Sequence, residues 1–161
     1  MYTSYEEIYE DFLPKTRNYD FLAMSEEELK EHLHDYLVPA IARFHVCRKD
    51  LNDRDDLLQR FNSELSDLEI EILSNFCLLE HIDSTYVRTQ NLLKMNLAST
   101  DFNSFISANH LDKLMEMRNK YLKENEGLLI RYAWKGAMEN GVSWSAGYNK
   151  RSTNSGASTM W

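Results

Sequence analysis

Gly141-Val142-Ser143-Trp144-Ser145 is one residue away from the Gly-x-Ser-x-Gly turn that exposes a catalytic serine. Its last glycine is replaced by serine, and no strand-then-helix pattern flanks it, so hydrolase chemistry is not expected. Cys77 and His81 stand four residues apart, which puts a thiol and an imidazole on one helix face. His45-x-Cys47 could complete a zinc set only at a helix end, because positions i and i+2 point about 200° apart. No Cys-x-x-Cys pair is present, so packed free cysteines are expected and neither a metal nor any other cofactor is. His32 and His34 meet the same geometric objection and are expected at the surface.

The acidic stretch Asp50 to Asp56 invites a calcium reading. Neither register supplies the glycine at the sixth loop position, and the fifth falls on Arg54 or Leu57. A solvated loop with capping aspartates is expected instead. Glu26, Glu27 and Glu28 suit the positive end of a helix dipole and need no catalytic role. Met115 and Met117, near Leu111 and Leu114, read as core or subunit interface. Asp101-Phe102 and Asn109-His110-Leu111 carry no assignable chemistry, although Asn109 or Ser107 could cap a helix. No glycine-rich phosphate loop exists. The chain is therefore not expected to be an enzyme.

The elements that would position these residues read as helices. Ser4-x-x-Glu7, Ser25-x-x-Glu28 and Ser66-x-x-Glu69 are capping boxes. The first opens a stripe of Tyr5, Ile8, Tyr9, Phe12 and Leu13, which Pro14 should end. A connector follows over 15–24. The second opens a longer stripe from Leu29 to Phe44 that Pro39 should kink. Leu57, Leu58, Phe61 and Leu65 suggest a short amphipathic helix. The third box opens a helix that is apolar over most of its circumference and belongs at the centre of a bundle, with Asp83-Ser84 as a candidate interruption. Residues 98–107 read as a loop, and a last long helix runs from about Ala108 to Tyr132. The expected fold is all-α: a helical bundle over 1–132 with a long, mostly non-helical C-terminal arm over 133–161.

That arm holds four of the 5 glycines, seven Ser or Thr, and no Leu, Ile or Phe. It cannot build its own core. Yet all 3 tryptophans lie there, Trp134, Trp144 and Trp161, with Tyr148 between them. Aromatics spaced along such a segment suit pockets on a partner; folding back onto the bundle and an idle tail are the competing readings. The aromatic enrichment of interfaces favours docking, with Lys150 and Arg151 as companions.

Composition bounds the rest. With 161 residues, one domain with an ample core is expected. Only 5 Gly and 2 Pro argue against a many-stranded β fold. The first residues are acidic without an apolar core, so no signal peptide is expected, and the 2 cysteines suggest a reducing compartment. No apolar run suits a membrane span. A net charge of −8 argues against tight phosphate binding. The arm is mildly basic, with Lys135, Lys150 and Arg151 against Glu139, so the acidity belongs to the body.

A wider pattern emerges from Asp20-Phe21-Leu22, Tyr36-Leu37-x-x-Ala40-Ile41-Ala42-x-Phe44-x-x-Cys47-x-x-Asp50-Leu51, Phe61-Asn62-x-x-Leu65, Glu69-x-x-Ile72-Leu73 and Asp101-Phe102 followed by Ser107-x-Asn109-His110-Leu111. Over roughly residues 15–120 it resembles the head-to-tail adaptors, or head completion proteins, of tailed phages infecting Gram-positive bacteria. The resemblance implies a virion protein, assembled in the host cytoplasm, that forms a homo-oligomeric ring, usually a dodecamer, beneath the portal protein. It implies contacts with neck and tail proteins, an arm reaching onto the portal, and no catalytic residue. The Trp-bearing segment would be that arm, with Trp134, Trp144, Tyr148, Lys150, Arg151 and Trp161 as portal-binding residues. An acidic body would let genomic DNA pass without sequence-specific binding. The alternative is a ring-forming helical DNA-packaging or regulatory DNA-binding protein.

Overall fold

The computed structural model describes residues 2–16, 19–96 and 101–139. Strand β1 (Thr3–Ser4) leads into α1 (Tyr5–Thr16), a short 3-10 helix (Tyr19–Ala23) and α2 (Glu26–Arg43). A hairpin of β2 (Arg54–Asp55) and β3 (Arg60–Phe61) follows, then α3 (Asp67–Asn96) and α4 (Asp101–Glu139). The fold is thus mostly helical, but it carries a small antiparallel sheet in the order β1-β3-β2 that the all-α reading did not include.

The capping boxes place the helix starts. Ser25 accepts from the Glu28 N–H, and the Glu28 carboxylate accepts from the Ser25 N–H at 3.0 Å. Glu69 likewise accepts the Ser66 N–H at 2.8 Å, and Glu7 the Ser4 N–H at 2.9 Å. Pro14 interrupts less than expected, and Pro39, as the continuing stripe predicts, does not end its helix. Pro14 lies inside α1, two residues before its end, and α2 runs through Pro39 to Arg43. Asp83-Ser84 does not break α3 either, because Asp83 is an exit point for charge: its carboxylate takes the Arg118 guanidinium of α4 and Arg43 of α2.

α3 is the central element, packed by α1, α2 and α4. Ile72, Leu73, Phe76, Cys77, Leu78, Leu79 and Ile82 are all buried, which covers most of its circumference, as its sequence predicts. α4 returns antiparallel along it: Arg118 meets Asp83, Asn125 meets Asn75, and Tyr132 meets Glu69. Phe12, Phe44 and Phe61, each at most 1% exposed, link the flanking elements into one core.

Three further expectations are corrected. Residues 57–65 form no helix. Phe61 and Leu65 are buried, but Leu57 and Leu58 point into water at the hairpin turn, so the apparent apolar stripe mixes two environments. Residues 101–107 are helical, so α4 starts before Ala108, and Ser107 and Asn109 lie within it rather than capping it. Residues 133–139 of the expected arm continue α4; residues 140–161 lie outside the described residues. Among the described residues, no helix is long and apolar enough to cross a membrane.

Candidate partner-binding surface

The last turns of α4 are fastened to the body by polar contacts. Tyr132 is buried, and its hydroxyl donates to Glu69 Oε1 at 2.7 Å while accepting the Arg48 backbone N–H at 2.8 Å. Glu69 is buried too. Burial by itself would raise its carboxyl, but the Ser66 N–H, the Tyr132 hydroxyl, the Ser66 hydroxyl and the Lys49 ammonium together hold it below the usual carboxylate range. The Cys47 thiol sits 3.8 Å from both Tyr132 Oη and Glu69 Oε1, and burial pushes it up, away from the reactive thiolate.

Arg48 closes the fastening. Its guanidinium lies 4.6 Å from the Tyr132 ring centroid, donates to the Tyr132 carbonyl at 2.9 Å and pairs with Glu139 at 2.6 Å. Gly136 makes the seat: a Cβ there would come within 2.7 Å of Arg48 Nε. One arginine thus spans Tyr132 to Glu139, about 10 Å of helix axis. The result is a helix end held in register with the α2–β2 loop and the start of α3.

The opposite face of the same turns carries an exposed apolar row. Ile130, Trp134 and Met138 are 58%, 45% and 69% exposed and recur every four residues, so they form one row. Trp134 is therefore the described member of the expected docking set. Trp144, Tyr148, Lys150, Arg151 and Trp161 lie outside the described residues, as does Gly141-Val142-Ser143-Trp144-Ser145.

The other chemistry-bearing residues are dispersed. Cys77 is buried at 2% exposure, and burial drives its thiol far up. His81 packs edge-on to the rings of Phe12 and Tyr36. His45 is exposed and bonds the Arg43 carbonyl at 3.2 Å. His32 and His34, expected at the surface, are half-buried: the first hydrogen-bonds Tyr36 and the second stacks on Tyr5. Among the described residues, no group of three or more His, Cys, Asp and Glu is placed to hold a metal ion. Asp50 and Asp55 act as turn acceptors for the N–H groups of Asn52, Leu57 and Leu58. Met115 and Met117 are each 39% exposed on α4, outside the core.

Sequence reading missed Arg48 and Gly136, and it saw Glu69 only as a helix cap. The available signal was a glycine four residues after a tyrosine near a helix end. The arginine that both meet lies 84 residues before the tyrosine, so no local pattern marks it. No family model matches the chain, and neither do any curated protein or solved structure.

Proposed function

We propose that the chain is a structural virion protein, a head-to-tail connector adaptor that forms a ring under the portal and joins it to neck or tail proteins. One observation carries the reading: α4 is locked at its end by Arg48, and that locked end displays Ile130, Trp134 and Met138 immediately before a segment rich in tryptophan. A fixed apolar row continuing into spaced aromatics is suited to docking on a large partner, where each buried aromatic contributes heavily. In the ring, twelvefold repetition would turn modest contacts into lasting attachment. The net charge of −8 suits a wall past which DNA slides, because a surface without excess cations displaces few counterions. The sequence resemblance to phage adaptors points the same way.

The test is quantitative peptide mass spectrometry of purified virions, with the portal protein as internal standard. A copy number near that of the portal is expected. Absence from virions alongside abundance in infected cells would overturn the reading and favour a packaging or regulatory DNA-binding protein.

A further inference from the structure

The β2–β3 turn holds two leucines in water, and it is built to do so. Leu57 is 96% exposed and Leu58 59%. The Asp55 carboxylate accepts both of their N–H groups, at 3.1 and 3.0 Å. Asp56 accepts the Tyr5 hydroxyl at 2.6 Å, which ties the turn to α1. Gln59 closes the turn at φ 49°, a left-handed backbone unusual for a residue with a side chain, and its carbonyl takes the Tyr5 N–H at 2.9 Å. A turn selected only to connect two strands needs neither the leucines nor this bracing. Residues 50–59 also carry four aspartates against one arginine, so the protruding knob is acidic.

The same chain carries a cavity of complementary character. A space of about 300 Å³ opens where the end of α1, the 3-10 helix, α2, α3 and α4 meet. Lys15, His32, Arg88 and His110 line it, Leu114 and Met117 supply apolar wall, and among the described residues none of the lining is a carboxylate. Lys15 is already paired with Asp11 at 2.7 Å, which leaves Arg88 as the other cation of the lining, beside the polar rings of His32 and His110. On a chain with net charge −8, such a lining is an exception.

Knob and cavity of one copy cannot meet. The knob is tied to Tyr5 at the start of α1, and the cavity includes Lys15 and Thr16 at its end, about 15 Å further along. We infer that Leu57 and Leu58 of one copy enter the Arg88–His110 cavity of a second copy, a head-to-tail contact between unlike surfaces. Repeated, such a contact closes a ring or grows a filament, depending on the rotation between copies. The inference rests on the self-assembly in the adaptor reading and adds the contact that performs it.

The experiment uses the full chain and two variants: Leu57→Ser with Leu58→Ser, and Arg88→Glu with His110→Glu. All four positions are exposed, so thermal unfolding should match the wild type and verify folding. Analytical ultracentrifugation over a concentration series then reads association. The wild type should associate, more weakly at high salt. Each variant alone should associate on the order of a hundredfold more weakly. An equimolar mixture should form a one-to-one dimer and nothing larger, because each variant keeps the surface that the other lacks. A wild type that stays monomeric at the highest concentration reached overturns the inference. Variants that assemble like the wild type overturn the contact but leave the ring, and its virion copy number, standing. A cavity variant that self-associates while the knob variant does not would show knob-to-knob pairing or a different receiving surface.

Discussion

The hairpin knob and the end of α4 both hold large apolar side chains in water, yet they are braced in opposite ways. At the knob, the decisive acceptor is Asp55, two and three residues from the N–H groups that it takes. At the α4 end, Arg48 reaches residues 84 and 91 positions away, and Glu69 takes a hydroxyl from 63 away. The knob's turn is shaped mainly by its own residues and is tied to the body through Tyr5. A remotely braced helix end keeps its place only while the whole body is folded. The knob is thus a protrusion shaped mostly by local contacts, whereas the geometry of the α4 end reports the state of the core.

Substitutions at four positions sharpen or break that contrast, and urea denaturation measures each. Glu69→Ala should have the largest effect, a loss of about 3 kcal/mol, because it removes a helix cap and leaves the Tyr132 hydroxyl without its acceptor. Glu69 also makes stability depend on pH. Its carboxyl lies below its ordinary value when folded, so its contribution is complete above the normal carboxylate range and is lost as pH falls through the lower folded value. The gap between wild type and Glu69→Gln should therefore narrow in acid; a gap independent of pH would show that the carboxylate charge plays no part.

Tyr132→Phe should lose about 1–2 kcal/mol, since one hydroxyl serves both Glu69 and the Arg48 N–H. Hydrogen exchange should rise at the α4 end and not in the hairpin. Tyr5→Phe should lose about 1 kcal/mol and show the converse pattern, because only the Asp56 contact disappears. If Tyr5→Phe costs as much as Glu69→Ala, the knob leans on the body as heavily as the α4 end does and the contrast fails. Smallest of all, Leu57→Ser should stay within about 0.5 kcal/mol of the wild type, since a residue 96% exposed contributes little burial to the monomer.

What was legible in the sequence follows the same division. Ser25-x-x-Glu28 and Ser66-x-x-Glu69 marked helix starts because a cap is a contact over three residues. The apolar run from Ile70 marked α3 as central because burial on every side leaves no polar face. The hairpin was illegible for a physical reason: its strands are two residues long, too short for alternation, and Leu57, Leu58, Phe61 and Leu65 mimic helical spacing. The reach of α4 beyond Tyr132 was equally hidden, since the contacts that hold residues 133–139 come from Arg48. Of the expected docking residues, Trp134 alone falls among those described, and its display depends on that same remote contact.

The seat of Arg48 on Gly136 has a mechanical meaning. A pull transmitted through α4 from beyond Glu139 reaches the body first at Arg48, which grips both the Tyr132 carbonyl and Glu139. From there the load divides, through the chain into the α2–β2 loop and through Tyr132 and Glu69 into the start of α3. Force along the helix would thus be shared between two elements loaded together, rather than peeling α4 from α3 one turn at a time. A segment attached beyond this point could bear tension while the core behind it stayed intact.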